Sequence, residues 1–176
     1  HSLPNNAYLL QQMALYLQRT SAHQLRRVLS LLQEAKEIEP YNASILHSLY
    51  VVHKENVITE ESDSKKENHI REAISYINQM VELEGKESSF SASARIELSL
   101  KILYYDITNE SDLTKPYIQK QITSCQDAIN SFKLRFPEDS YVNELDKNFK
   151  RILKDHEGYV KAAKASYAQG HRTPDR

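Results

Sequence analysis

Few side chains in this sequence combine the residue type and the spacing that catalysis or metal binding requires. His47 and His53 lie six residues apart, a spacing that places two side chains on different faces of a helix, so we interpret both as partly exposed histidines and not as metal ligands. Cys125 falls where two helices are predicted to meet, which favours a small buried residue over a nucleophile. The carboxylate pair Glu60-Glu61 falls in a predicted loop, without the apolar wall that separates two pKa values for acid–base catalysis.

Motifs for phosphate-binding and metal-binding sites are also missing from the sequence. Neither GxxxxGK(S/T) nor GxGxxG occurs, and the chain has only 3 glycines with which to build such a loop. Neither CxxC nor HExxH occurs. We therefore expect a protein that is not an enzyme and that has no cofactor and no metal site.

The composition is typical of a soluble, helical protein. Of the 176 residues, 40% are hydrophobic and 27% are charged, and 23 Lys and Arg nearly balance 24 Asp and Glu. This balance argues against binding to nucleic acid, which needs a basic surplus or stripe. The apolar runs are too short for a membrane span, and a single cysteine suits a reducing compartment, so we expect a cytoplasmic protein with no membrane partner.

A pattern that ends one helix and begins another is clearest between Gln33 and Tyr50. A small residue, Ala35, precedes Pro40, which ends the helix because proline lacks a backbone N–H and its ring disfavours helix at the residue before it. Asn42 can cap the next helix. An apolar stripe then resumes at helical spacing, in Ile45, Leu46 and Leu49.

Two further copies of the pattern follow along the chain. The small position is occupied by Ala73 in the second copy, which ends at Gly85, and by Cys125 in the third, which ends at Pro137. The distance between terminators is 45 residues from Pro40 to Gly85 and 52 residues from Gly85 to Pro137. The first predicted helix precedes all three copies, and in it Ala14 occupies the position of the small residue.

This pattern resembles the hinge between consecutive tetratricopeptide (TPR) repeats, although the repeats here are longer than the standard period of about 34 residues. The resemblance implies an all-α fold, a TPR-like α-solenoid of about four antiparallel helix pairs, in one domain over 1–176. The degenerate repeats would span about 6–40, 41–85, 88–137 and 138–168. The chain also resembles the helical repeat regions attached to bacterial nucleotide-binding (STAND-type) or NAD-handling defence proteins.

Eight helices are predicted. Six are expected at about 7–19, 22–38, 43–56, 67–84, 91–107 and 115–136. A seventh is expected to start after Asp139-Ser140 and an eighth to span about 157–168, with a kink or boundary at Gly158 between them. The segment 59–68 is charged and lacks apolar residues, so it is predicted to be a solvated loop, as is 108–114. The fifth helix is apolar nearly all round and is expected to be central. The last residues, 170–176, are expected to be frayed.

The TPR resemblance implies a concave groove lined by the first helix of each pair. Carried over onto this sequence, it assigns partner binding to six residues: Tyr8, Gln11, Arg19, His47, Val51 and Lys54. Because Lys54 and Arg19 have no asparagines at the matching positions, the resemblance implies a mixed polar and apolar groove and not a carboxylate clamp. The other tyrosines are interpreted as lying at the margins of helix packing.

Three functions remain open from the sequence. The first is a scaffold that binds a peptide or protein partner in the groove. The second is a sensor or regulatory region covalently linked to the catalytic domain of a larger ATPase or NADase. The third is an RNA-contacting helical repeat, for which the sequence offers a basic C-terminal third: Lys115, Lys120, Lys133, Arg135, Lys147, Lys150, Arg151, Lys154, Lys161 and Lys164.

Overall fold

The computed structural model describes residues 6–21, 23–59, 62–110, 112 and 114–170, and for residues 156 and 158–170 it describes the backbone alone. These residues form seven α-helices and no strand, which confirms the all-α class. The helices are α1 (Ala7–Thr20), α2 (Leu25–Ile38), α3 (Ala43–Asn56), α4 (Asp63–Glu84), α5 (Ser89–Asn109), α6 (Pro116–Arg135) and α7 (Tyr141–Gly170).

The helix ends follow the local chemistry that the sequence predicted. The Asn42 side-chain oxygen accepts hydrogen bonds from the backbone N–H groups of Ser44 and Ile45, at 3.0 and 3.4 Å, and so caps α3. At the end of α4, Gly85 adopts a left-handed conformation with φ of 70°, which glycine adopts without steric cost. The predicted cap of α3 and the predicted terminator of α4 therefore act at the helix ends where they were expected.

The chain divides into two compact units, His1–Leu98 and Ser99–Arg176, with the boundary inside α5. Two compact units can belong to one domain, so the single domain over 1–176 stays a prediction. In the first unit α1 packs against α2, α2 against α3, and α3 against both α1 and α4. In the second unit α6 packs against α7. None of the helices among the described residues is long and apolar enough to cross a membrane.

Small residues are buried at the positions where the pattern requires them. Ala14, Ala35 and Ala73 have no exposed surface in the first unit, and Cys125 is 3% exposed in the second. Large apolar side chains are buried in the same units, among them Leu10, Leu32, Leu46, Ile77 and Met80 in the first unit and Ile129, Phe132 and Phe149 in the second. The predicted burial of Ala14, Ala73 and Cys125 is confirmed.

The fourth helix begins earlier than predicted, because charged residues do not by themselves make a loop. The predicted start is near Glu67, but α4 starts at Asp63, within the predicted loop. Asp63 lies in the first turn, where a negative charge interacts favourably with the helix dipole, and its carboxylate lies 3.5 Å from the Lys66 ammonium. Lysine and glutamate are also good helix formers.

The prediction of eight helices is wrong, since one continuous helix, α7, occupies the place of the last two. Gly158 was predicted to separate them, but its backbone is helical. A glycine inside a helix costs only about 1 kcal/mol relative to alanine, and good helix formers such as Lys154, Glu157 and Lys161 flank it. The tail 171–176, within the segment predicted to be frayed, lies outside the described residues.

Candidate functional site

A glutamine joins α1 to α3. Gln11 is 6% exposed, and its side-chain N–H₂ group donates toward Ser44 Oγ and Ser48 Oγ, both at 2.9 Å, and toward the Ser44 carbonyl oxygen at 3.2 Å. Three acceptors thus surround a group with two hydrogens, so both hydrogens of the N–H₂ group have partners. Because a buried amide without partners is costly, this contact fixes the distance and register between α1 and α3.

Aromatic and polar contacts join α3 to the part of α5 before Ser99. The His47 ring lies on the Phe90 ring, with centroids 4.8 Å apart, and the Tyr50 hydroxyl donates to the Ala94 carbonyl oxygen at 2.9 Å. The Lys54 ammonium lies 2.6 Å from a Glu97 carboxylate oxygen. We call α1, α3 and residues 89–98 of α5 together the first-helix layer.

The structure places the six predicted binding residues in different environments. Tyr8 and Arg19 on α1 are exposed, whereas Gln11 is buried under the contact with Ser44 and Ser48. His47, Val51 and Lys54 are partly buried and share one face of α3, because they are four and three residues apart. The Gln11 contact holds α1 next to α3, so all six residues belong to the first-helix layer. All of them except Gln11 keep some exposed surface.

The charges of Lys54 and Glu97 in the layer balance each other. The side chains of Lys54 and Glu97 are 14% and 22% exposed, and the Lys54 ammonium also lies over the Tyr50 ring at 5.3 Å. The pKa of His47 is lowered by burial, an effect that Glu97 partly offsets and Lys54 reinforces. At neutral pH the layer therefore presents a neutral imidazole beside a paired lysine.

Two residues of this layer were not identified from the sequence. Phe90, which is 47% exposed, forms with His47 an aromatic surface open to solvent, and Glu97 neutralises the lysine that was expected to face a partner. Both residues are on α5, whose many apolar residues predict a buried helix and do not indicate an exposed surface. The phenylalanine just before the predicted start of this helix is the one local signal in the sequence that could have identified the surface.

A buried histidine pair lies between α3 and α4. His53 Nδ1 and His69 Nδ1 are 2.8 Å apart, and the side chains are 5% and 7% exposed, so the expectation of a partly exposed His53 is wrong. Tyr76 stacks on His53 with ring centroids 5.7 Å apart. Burial, and secondarily the neighbouring His69, lowers the pKa of His53 to about 4. His69, which the sequence analysis did not consider, lies four residues before the buried Ala73, and that spacing could have revealed it.

The chemical candidates that remain from the sequence are Cys125 and the Glu60-Glu61 pair. Burial raises the pKa of Cys125 to about 11, so its thiol is protonated at neutral pH. Among the residues with described side chains, no group of three or more His, Cys, Asp or Glu is arranged to hold a metal ion. Glu60-Glu61 lie outside the described residues.

Several cations of the basic C-terminal third are paired within their own unit. Lys133 and Lys150 lie 2.8 and 3.1 Å from the Asp146 carboxylate, and Lys115 lies 3.0 Å from Glu110. These pairs reduce the positive charge that an RNA backbone would meet there.

The Lys54–Glu97 pair should stabilise the layer measurably. In a double-mutant cycle with Lys54→Met and Glu97→Gln, we expect a coupling energy of about 1 kcal/mol, because the pair is largely shielded from water. The Lys66–Asp63 pair is a matched control, since Asp63 is 84% exposed, and its coupling should be about 0.3 kcal/mol. Equal coupling energies from urea denaturation would show that the Lys54–Glu97 pair is not a structural contact.

Comparison of the chain with protein-family models, with curated proteins and with solved structures gives no match in any of the three.

Proposed function

We propose that this chain is a TPR-like α-solenoid that binds a peptide or protein partner on the first-helix layer. In this proposal α1–α2 and α3–α4 are consecutive antiparallel pairs, and α1, α3 and α5 line the concave side. The observation that carries the proposal is the direct bridging of α1 to α3 by Gln11 and of α3 to α5 by His47, Tyr50 and Lys54. In a stacked repeat the first helices of successive pairs lie side by side, and together they face a ligand.

Each residue has a role that its environment supports. Tyr8 and Arg19 supply exposed contact area and charge, and tyrosine and arginine are the residue types most often found at binding hot spots. His47 with Phe90 offers an aromatic shelf for an apolar side chain, and Val51 extends it. Gln11 acts indirectly by holding α1 against α3. No enzymatic step, cofactor or metal is part of this proposal, and a cytoplasmic location is proposed with it.

The proposal can be tested with peptides selected from a random display library on the immobilised chain. Replacing Arg19 and Lys54 together by alanine should weaken the binding of selected peptides about five- to tenfold, as measured by fluorescence anisotropy. Arg19 should account for most of the loss, because Lys54 is already paired with Glu97. The affinity should also fall as the salt concentration rises, since Arg19 is exposed.

A control variant separates loss of binding from loss of structure. Lys147→Ala with Lys154→Ala removes two exposed charges from α7 in the other unit and should leave the affinity unchanged. Circular dichroism should show the same helical content for both double variants. A library that yields no saturable binder, or binders that are unaffected by the Arg19 and Lys54 changes, would contradict the proposed site.

A further inference from the structure

We propose that the α1–α2 end of the first unit binds an acidic segment of the partner. Arg19, Arg26 and Arg27 would hold its carboxylates, and Tyr8 and Tyr16 would contact neighbouring apolar side chains. This inference rests on the proposed function and specifies the chemistry of the partner. It also moves the charge-recognition region away from Lys54, whose ammonium is bound to Glu97.

The sequence is strongly asymmetric in charge at this end. Residues 1–33 contain no Asp and no Glu, so all 24 acidic residues of the chain follow residue 33. Within the same stretch lie Arg19, Arg26 and Arg27. A surface whose cations lie in a stretch of sequence without acidic residues is electrostatically complementary to an acidic ligand.

The three arginines are available for binding. All three are exposed, and none has an ion-pair or hydrogen-bond partner for its side chain among the described residues. They lie close to the connection between two helices that pack against each other, with Arg19 in the last turn of α1 and Arg26 and Arg27 in the first turn of α2. The guanidinium group is planar and can hold a carboxylate through two parallel hydrogen bonds, which adds orientation to charge.

Two tyrosines extend this basic region along α1. Tyr8 and Tyr16 are 67% and 66% exposed, although tyrosine usually buries much of its ring. They lie eight residues apart, which places them on the same side of the helix, and Arg19 follows three residues after Tyr16. Exposed tyrosines beside arginines have the composition of a binding hot spot.

An acidic peptide fits this surface better than RNA does. Tyrosine and arginine could also stack on bases and contact phosphates, but an extended RNA backbone would leave the small basic region and meet the acidic remainder of the chain. The net charge of the chain is −1, and Glu34, Glu37 and Glu39 follow in the second half of α2 and just after it. A short acidic segment needs only the three arginines.

The test compares peptide selections on three forms of the full chain. The forms are the wild type, Arg26→Glu with Arg27→Glu, and the control Lys147→Glu with Lys154→Glu, which makes the same charge change at exposed positions of α7. Peptides selected on the wild type and on the control should be enriched in Asp and Glu, and this enrichment should disappear on the Arg26/Arg27 variant. The best acidic peptide should bind that variant at least about tenfold more weakly, and Tyr16→Ala should weaken it about threefold.

Three results would overturn the inference. One is a set of wild-type binders without acidic enrichment, and another is an equal loss of acidic binders on both charge-reversal variants, which would indicate attraction by net charge alone. The third is a twelve-residue oligouridine that displaces the peptide and binds the same arginines more tightly, which would make the surface a nucleic-acid site.

Failure of this inference is distinguishable from failure of the proposed function. Neutral peptides that bind the wild type and lose affinity with His47→Ala would preserve the groove while excluding acidic recognition at the α1–α2 end. The absence of any saturable peptide binder would contradict both.

Discussion

Acidification from pH 7 to pH 4.5 should lower the free energy of unfolding of the first unit by about 2–3 kcal/mol, through the buried histidine pair. The pKa of His53 is about 4 in the folded chain because burial disfavours its charged form, against 6.5 when the side chain is free. Between these values the unfolded chain binds a proton that the folded chain does not. Stability is therefore constant above about pH 7 and falls as the pH drops from 6.5 toward 4.

Burial is the main reason why the folded state resists protonation, and the geometry of the pair opposes a second proton. With His53 Nδ1 and His69 Nδ1 2.8 Å apart, one nitrogen must donate a hydrogen and the other must accept it. If both rings are charged, both nitrogens carry hydrogens, and the contact becomes repulsive. Tyr76 covers His53, so water cannot solvate the charge.

Urea denaturation followed by circular dichroism between pH 7.5 and 4.5 measures this effect. In the variant His53→Phe the pH dependence over this range should shrink by most of the 2–3 kcal/mol, whereas His47→Asn should retain the contribution of the pair. The carboxylates are the same in the wild type and in both variants, so their contribution to the pH dependence cancels in the comparison. An equal pH slope in wild type and His53→Phe would show that the pair is not buried as a neutral unit.

Enlarging the small residues at the helix contacts should destabilise the chain by about 1–3 kcal/mol each. Ala14 and Ala73 have no exposed surface, so the additional carbons of leucine would force helices apart or side chains out of their rotamers. Thermal denaturation of Ala14→Leu and Ala73→Leu measures the loss.

The matched control for these variants is Ala43→Leu, at the exposed first residue of α3, which should change the free energy of unfolding by less than about 0.5 kcal/mol. Unchanged melting temperatures for Ala14→Leu and Ala73→Leu would mean that these alanines do not mark close helix contacts.

Local chemistry made much of the fold predictable. The bounds of α3 agree with the sequence analysis because Asn42 supplies a strong cap at its start. Likewise, glycine and proline ended α4 and α6 where expected, since their backbone constraints act independently of tertiary structure. The errors at Asp63 and Gly158 arose where weak signals, a run of charge and a single glycine, were interpreted as breaks although the flanking residues favour helix.

The site was less predictable, because its contacts join residues that are distant in sequence. Glu97 pairs with Lys54 across 43 residues, and His53 meets His69 on another helix. These contacts depend on how each helix is rotated about its own axis relative to the next helix. The apolar periodicity of the sequence shows which face of a helix is buried, but it does not give this rotation in detail. The sequence could identify α3 as a helix with one polar face, but it could not show that Lys54 is paired or that His53 is buried.

The most direct measurement of the central claim is amide NMR mapping of a library-selected peptide on the full chain. If the first-helix layer holds the partner, the largest chemical-shift changes should cluster in α1 and α3, around Tyr8, Gln11, His47 and Val51, and α7 should change little. If the largest changes instead lie around Lys147–Lys154 on α7, while α1 and α3 remain unchanged, the first-helix layer is not the binding surface.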